Sequence, residues 1–242
     1  MRVSIRLNKF LAQAGIASRR RCDESIRLGR VRVNGEVVTC LGLRVDPEQD
    51  RIDVDGQCIV SKKRYRYILL NKPAGYLVSA HDPHHQRTVF DLLSGISERL
   101  FPVGRLDLDT EGVLLLTNDG ELAFRLTHPR YTIQKTYLAQ VVGIPGEAVL
   151  QQLCEGVDLG GRRTAPAHVR VVRVEGADTL LELVIHEGRK RQVKRMCRAM
   201  GHRVKHLRRI DFAGITVEGL RSGAWRDLTE EEVQRLKRLV GL

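Results

Sequence analysis

Residues 104–120 read Gly-Arg-Leu-Asp-Leu-Asp-Thr-Glu-Gly-Val-Leu-Leu-Leu-Thr-Asn-Asp-Gly. A carboxylate, Asp107, stands just ahead of Val113–Leu116, an apolar run fit for a buried strand, and Arg105 precedes it by two positions. The plain reading of Asp107 is a turn residue that hydrogen-bonds its own backbone. The chemical reading is a nucleophile or base in a cleft that otherwise attracts phosphate. Asp109 competes with it, because in an extended segment it shares a face with Asp107.

A carboxylate so placed is notable because the chain is basic. Its 242 residues carry 41 Lys and Arg against 29 Asp and Glu, a formal net charge of +12. Such a balance favours a polyanionic partner, nucleic acid or an acidic membrane surface. The apolar fraction, 42%, suffices for a packed core in one or two domains. No apolar run approaches the roughly 20 residues of a spanning helix, and the first residues lack the apolar stretch of a secretory signal. The five cysteines, at 22, 40, 58, 154 and 197, form no Cys-x-x-Cys pair. They read as reduced, mostly buried thiols of a cytoplasmic protein. His81, His84 and His85 have no partner cluster, and no metal site is expected.

Several elements must position this chemistry. Leu7, Phe10, Leu11 and Ala14 fall at helical spacing up to Gly15, and Ser18 caps a second helix that runs to Leu28 before Gly29. Val31–Val38 reads as a hairpin around Asn34-Gly35. Nine basic residues against two acids lie in 1–32, and two against six in 33–61, which concentrates the positive charge on one face. The polar stretch after Ser61 marks a boundary: residues 1–61 form a first domain, 62–66 a linker and 67–242 a second, α+β domain. In the second, Tyr67–Leu70, Gly112–Thr117, Thr136–Val142 and Leu180–Ile185 read as strands. Val193, Met196, Cys197 and Met200 stripe a helix over 192–200 that Gly201 ends. Lys190 and Lys194 lie on the margin of that stripe, where a lysine can reach inward. The window 189–209 holds ten Lys and Arg and no acid, and is expected to face RNA. Thr229 and Glu232 form a capping box for a structural last helix. No glycine-rich phosphate loop is present.

The run Arg6–Arg21, followed by Val31-Arg-Val-Asn-Gly35, resembles the S4 RNA-binding domain. That resemblance implies a helix pair presenting basic side chains to structured RNA, here Arg6, Lys9, Arg19, Arg20, Arg21, Arg27 and Arg30. The second domain resembles the catalytic domain of the RsuA/RluB group of pseudouridine synthases. The motifs that carry this are Leu70-Asn-Lys-Pro-Ala-Gly-Tyr76, the stretch 104–120, Lys135-Thr-Tyr137 and Glu187-Gly-Arg-Lys-Arg-Gln-Val-Lys-Arg-Met196, in that order behind an S4-like domain.

The resemblance implies a mixed, mainly antiparallel sheet flanked by helices, and isomerisation of one uridine in ribosomal RNA. It makes Asp107 the catalytic carboxylate and Asp109 structural. Attack at C1′, addition to the base and removal of the C2′ proton are all open to Asp107. Lys194 becomes its counter-ion, lowering its pKa by about 1–3 units. Tyr137 becomes the stacking face for the base, and Arg105 the residue that fills the vacated space or clamps the adjacent phosphate. Arg189, Lys190, Arg191 and Arg195 join the RNA surface, and Arg191 stands where many members have His. The reaction has no redox step and consumes no phosphate, so no cofactor is expected. The expected substrate is a stem-loop of large-subunit (23S) rRNA, free or within a ribosomal assembly intermediate, acted on by a monomer. The alternatives are small-subunit (16S) rRNA, or a non-catalytic S4-type assembly protein that would need no Asp107, Tyr137 and Lys194 together. A methyltransferase would require a cofactor site.

Overall fold

The computed structural model describes residues 4–60, 65–79 and 87–242, and the chain divides into compact units Met1–Arg66 and Tyr67–Leu242. His81, His84 and His85 lie outside the described residues.

The first unit runs β1 (Ile5–Arg6), α1 (Leu7–Gln13), α2 (Arg19–Arg27), β2 (Val31–Val33), β3 (Glu36–Val38), β4 (Arg44–Val45), β5 (Ile52–Val54) and β6 (Gln57–Cys58). Ser18 caps α2, its hydroxyl accepting from the Arg21 amide at 3.3 Å. Asn34 and Gly35 both take positive φ, 52° and 87°, which closes the β2–β3 hairpin with the twist its strands require. Leu7, Phe10 and Leu11 from α1 pack with Cys22 and Ile26 from α2 over Val31, Val45 and Ile52. That leaves Arg19, Arg20, Arg21 and Arg27 exposed along α2. Arg30, expected to face RNA, is exposed and forms a two-bond ion pair with Asp55.

The second unit contains β7 (Tyr67–Lys72), β8 (Phe101–Pro102), β9 (Thr110–Thr117), α3 (Gly120–Thr127), β10 (Lys135–Val142), α4 (Glu147–Glu155), β11 (His168–Glu175), β12 (Asp178–Ile185), α5 (Gln192–Ala199), β13 (Val204–Phe212), β14 (Ile215–Thr216), β15 (Trp225–Asp227) and α6 (Glu230–Leu239). Its sheet is nine-stranded, with main order β11-β12-β10-β13-β9-β7-β15. Among the described residues only the β9–β13 pairing of its strands is parallel. Alternate residues of the central strands enter opposite layers, which follows from the two-residue period of a strand. Ile68, Leu70, Leu114 and Leu116 pack with Leu153 of α4 and with Val193, Met196 and Cys197 of α5. Leu69, Val113 and Leu115 pack with Leu122 and Leu126 of α3 and Leu236 of α6. Burial on both faces explains why β9 reads as a continuous apolar run.

The basic window 189–209 is only partly a surface. Its end belongs to β13, a central strand, where Arg209 is 2% exposed and lies between Tyr137 of β10 and Gly112 of β9. The backbones approach so closely there that a Cβ on Gly112 would stand 2.0 Å from the Arg209 carbonyl oxygen, and Gly112 also has φ +101°. Glycine alone fits both constraints. The cysteines carry no disulfide, but Cys40 and Cys58 are exposed rather than buried. No helix among the described residues is long and apolar enough to cross a membrane.

Candidate active site

The loop that carries Asp107 joins β8 to β9 and is held at both ends. Val103 donates to the Leu115 carbonyl at 2.8 Å, Leu106 is buried, and the Thr110 amide closes a turn on the Asp107 carbonyl at 3.1 Å. From the other side the Lys72-Pro-Ala-Gly75 turn grips it, the Gly75 amide donating to the Leu108 carbonyl at 2.8 Å. The sequence places a turn from Asn71 onward, yet β7 continues through Lys72, which is fully buried. Its ammonium donates to the carbonyls of Pro73 at 2.9 Å, Leu108 at 3.2 Å and Thr110 at 2.8 Å, and so fastens the Asp107 loop to β7. Burial pushes the Lys72 ammonium down to about 8, against the pull of the carboxylates Glu111, Asp109 and Asp107.

The loop forms one wall of a cavity of about 680 Å³. Arg105, Asp107, Lys135, Tyr137, His186, Lys190, Arg191 and Arg209 reach its lining. Asp107 is half-buried there, and among the described residues its carboxylate has no hydrogen-bond or ion-pair partner. Tyr137, on β10, is 9% exposed, so it is a wall of the core that presents part of its surface to the cavity. Arg105 is exposed and unpaired among the described residues.

Lys194 departs from expectation. It lies on the inner margin of α5 with a side chain only 13% exposed, but its ammonium meets Asp109 Oδ1 at 2.5 Å rather than Asp107. The Thr110–Asp107 turn leaves Asp107 on the cavity wall and directs Asp109 to α5. Asp109 is therefore more than a turn cap. Partial burial works against its ionisation, but the Lys194 hydrogen bond and charge prevail and hold it below the usual carboxylate range. Two carboxylates two residues apart offer a lysine equal reach in sequence, and the turn decides between them.

The basic segment before α5 also divides. Arg189 spends its guanidinium internally, on the carbonyls of Arg162 at 2.8 Å and Arg163 at 2.6 Å and on Glu187 at 3.2 Å. Arg195 donates to the Leu159 carbonyl at 2.8 Å. Both were expected at the RNA surface; both tie that segment to the 159–163 loop, Arg189 half-buried and Arg195 exposed. Lys190 and Arg191 remain exposed at the cavity. Arg191 precedes α5 in the left-handed region, φ 53°, and its side chain makes no capping hydrogen bond to the helix.

Three cations at the site have no role of their own in the sequence reading: Lys72, Lys135 and Arg209. Arg209 donates from Nε and Nη2 to the Val113 carbonyl at 2.9 and 2.7 Å and lies 4.9 Å from the Phe212 ring centroid, bracing β9 behind the loop. Lys135 donates to the Ile133 carbonyl at 2.8 Å. Burial first, then the Arg209 charge, lower it to about 8, with Glu187 opposing. The signal for Lys135 was its place in Lys135-Thr-Tyr137. In the unfolded chain a lysine titrates near 10.5. Below pH 8 both states hold the proton and the burial penalty is fully present. Between 8 and 10.5 the unfolded state binds more protons, so this group makes unfolding free energy rise with pH, by about 3 kcal/mol in all. Urea titrations across that range should show the wild type gaining on Lys135→Met. A pH-independent difference would contradict the assignment.

Comparison with known proteins accords with this geometry. Residues 66–199 match the family model of RNA pseudouridylate synthases, and residues 5–52 match the S4 domain. This chain belongs to the RNA pseudouridylate synthase family. It is 45% identical over 236 residues to the ribosomal large subunit pseudouridine synthase B of Bacillus subtilis, covering 97% of this chain and 96% of that one. It is 38% identical over 232 residues to the ribosomal small subunit pseudouridine synthase A of Escherichia coli, covering 95% and 98%. A crystal structure of a pseudouridylate synthase superposes with a TM-score of 0.69 at 33% identity over 96% of this chain and 99% of that one. The protein is thus a pseudouridine synthase acting on RNA, built as an S4 domain followed by a synthase domain with a mixed, mostly antiparallel sheet. No group of three or more His, Cys, Asp or Glu among the described residues is placed to hold a metal ion.

Proposed function

We propose that this pseudouridine synthase isomerises one uridine of large-subunit ribosomal RNA, with Asp107 as the reacting carboxylate. The observation that carries this is Asp107, unpartnered among the described residues, on a cavity wall shared with Tyr137. Isomerisation breaks N1–C1′, turns the base, joins C5 to C1′ and moves the C5 proton away while N1 gains one. Nothing is consumed. A base inside a helix cannot reach Asp107, so the uridine leaves its stack, which costs a few kcal/mol. Tyr137 offers it a new face, and Arg105, exposed at the rim, either takes the vacated space or holds the neighbouring phosphate. Lys194 acts as a positioning residue through Asp109, and Lys72 does so through the Leu108 and Thr110 carbonyls. The exposed arginines of α2, with Arg6 and Lys9, bring structured RNA to the enzyme.

The large-subunit assignment is supported by the greater identity to the B. subtilis relative. The small-subunit reading keeps its own support in the E. coli relative. Incubating the purified protein with 23S and 16S transcripts and mapping pseudouridine by nucleotide separates them. Conversion of a uridine in the 23S transcript alone is expected. Conversion only in 16S overturns the subunit assignment, and conversion in neither RNA, whether naked or within ribosomal assembly intermediates, overturns ribosomal RNA as the substrate.

A further inference from the structure

We infer that the surface beside the catalytic loop, formed by Phe124, His128, Arg130 and Tyr131, is a second nucleotide subsite that stacks one unpaired RNA base near the reacting uridine. The inference rests on the proposed reading that RNA enters at Asp107.

Phe124 is 48% exposed although it sits on α3, whose opposite side buries Leu122, Ala123 and Leu126. Helix α3 is fixed. Asp119 caps it by accepting from the Glu121 and Leu122 amides, each at 3.1 Å, and takes the Tyr67 hydroxyl at 2.9 Å. The turn Pro129–Tyr131 that follows is fixed as well. His128 Nδ1 accepts from the Arg130 amide at 3.2 Å, and Thr132 ends the turn in the left-handed region at φ 49°. These constraints hold an aromatic and cationic cluster together. The Arg130 guanidinium lies 4.6 Å from the Tyr131 ring centroid and 5.9 Å from that of Phe124, and the His128 ring is 5.1 Å from the Phe124 ring. Arg130 also bonds the Tyr131 hydroxyl, and no carboxylate among the described residues neutralises it.

A lone exposed phenylalanine is ordinary. This one is flanked by a guanidinium and adjoins the reaction site: Gly104, Arg105 and Thr127 line both the Asp107 cavity and the depression that holds Phe124, and His128 and Pro129 reach the cavity. An aromatic face with a cation over it matches the π-face of a base, and the surrounding positive charge matches its phosphate. A base inside a duplex has both faces covered by its stacking neighbours, so the occupant is an unpaired nucleotide out of the stack. Arg105 stands between the two sites and is placed to bond the phosphate that links them.

The test uses the ribosomal RNA fragment that the full-length protein binds most tightly, made intact and with each unpaired nucleotide in turn replaced by an abasic one. Phe124→Leu, which keeps apolar bulk and removes the ring, should weaken binding of intact RNA about tenfold. It should show no loss on the RNA abasic at the contacted position, and Phe124→Trp should retain binding. Unaltered binding by Phe124→Leu overturns the subsite. So does an equal loss on every abasic RNA, or a loss that Phe124→Trp shares, since either marks a structural role. Conversion by the wild type is followed in parallel: absent conversion sinks the proposed function, while the binding comparison still decides the subsite.

Discussion

Asp107→Ala is expected to end pseudouridine formation, a loss of at least about 10⁴-fold, while RNA binding persists. The residue carries no structural hydrogen bond from its side chain among the described residues, and the loop is held by backbone contacts and by Lys72. Removing the carboxylate therefore leaves the cavity and the basic surfaces intact and takes away only the reacting group. Asp107→Asn keeps the shape and is expected to be as inactive, because the amide lacks the charge. Single-turnover conversion and equilibrium binding on one RNA separate the two properties. A variant that bound poorly and turned over what it bound at the wild-type rate would make Asp107 an RNA contact.

Lys72→Met should be the second most damaging change. Methionine fills much of the same volume, but the carbonyls of Pro73 and Thr110 lose the ammonium, and that of Leu108 keeps only the Gly75 amide. Unsatisfied buried acceptors cost about 1–3 kcal/mol each before relaxation. The fold is expected to survive at reduced stability, since β7 keeps its pairing with β9. Activity suffers further, because the loop that aims Asp107 is no longer tied down and a displacement of about 1 Å can cost about 100-fold in rate. The expected signature is a fall in the rate at saturating RNA well beyond any change in binding, together with a lower melting temperature. A variant that melts lower yet turns over normally would show that Lys72 stabilises the sheet without aiming the carboxylate.

Local chemistry made part of this molecule legible. Ser18, Asn34-Gly35 and the Thr229–Glu232 box act within a few residues, and each does in the fold what its type implies. The apolar stripe of Val193, Met196 and Cys197 marks α5 within a residue of its observed end. Strand β13 was hidden because Lys205, Arg208 and Arg209 break its apolar pattern, and Arg209 is tolerated inside only through the Val113 carbonyl on another strand. Lys72 read as part of a turn because Pro73 follows it. Its partners lie 36 and 38 residues away, beyond any local signal. The same limit applies to Lys194, whose choice of Asp109 over Asp107 depends on a single backbone turn.

The most direct test of the central claim is nucleotide-resolution pseudouridine mapping of both ribosomal RNAs from cells lacking the gene, supplied with the wild-type chain or with Asp107→Ala. The account predicts one pseudouridine in large-subunit RNA that is absent without the gene, restored by the wild type and not restored by Asp107→Ala. Restoration by Asp107→Ala, or an unchanged pseudouridine map in the cells without the gene, would contradict it.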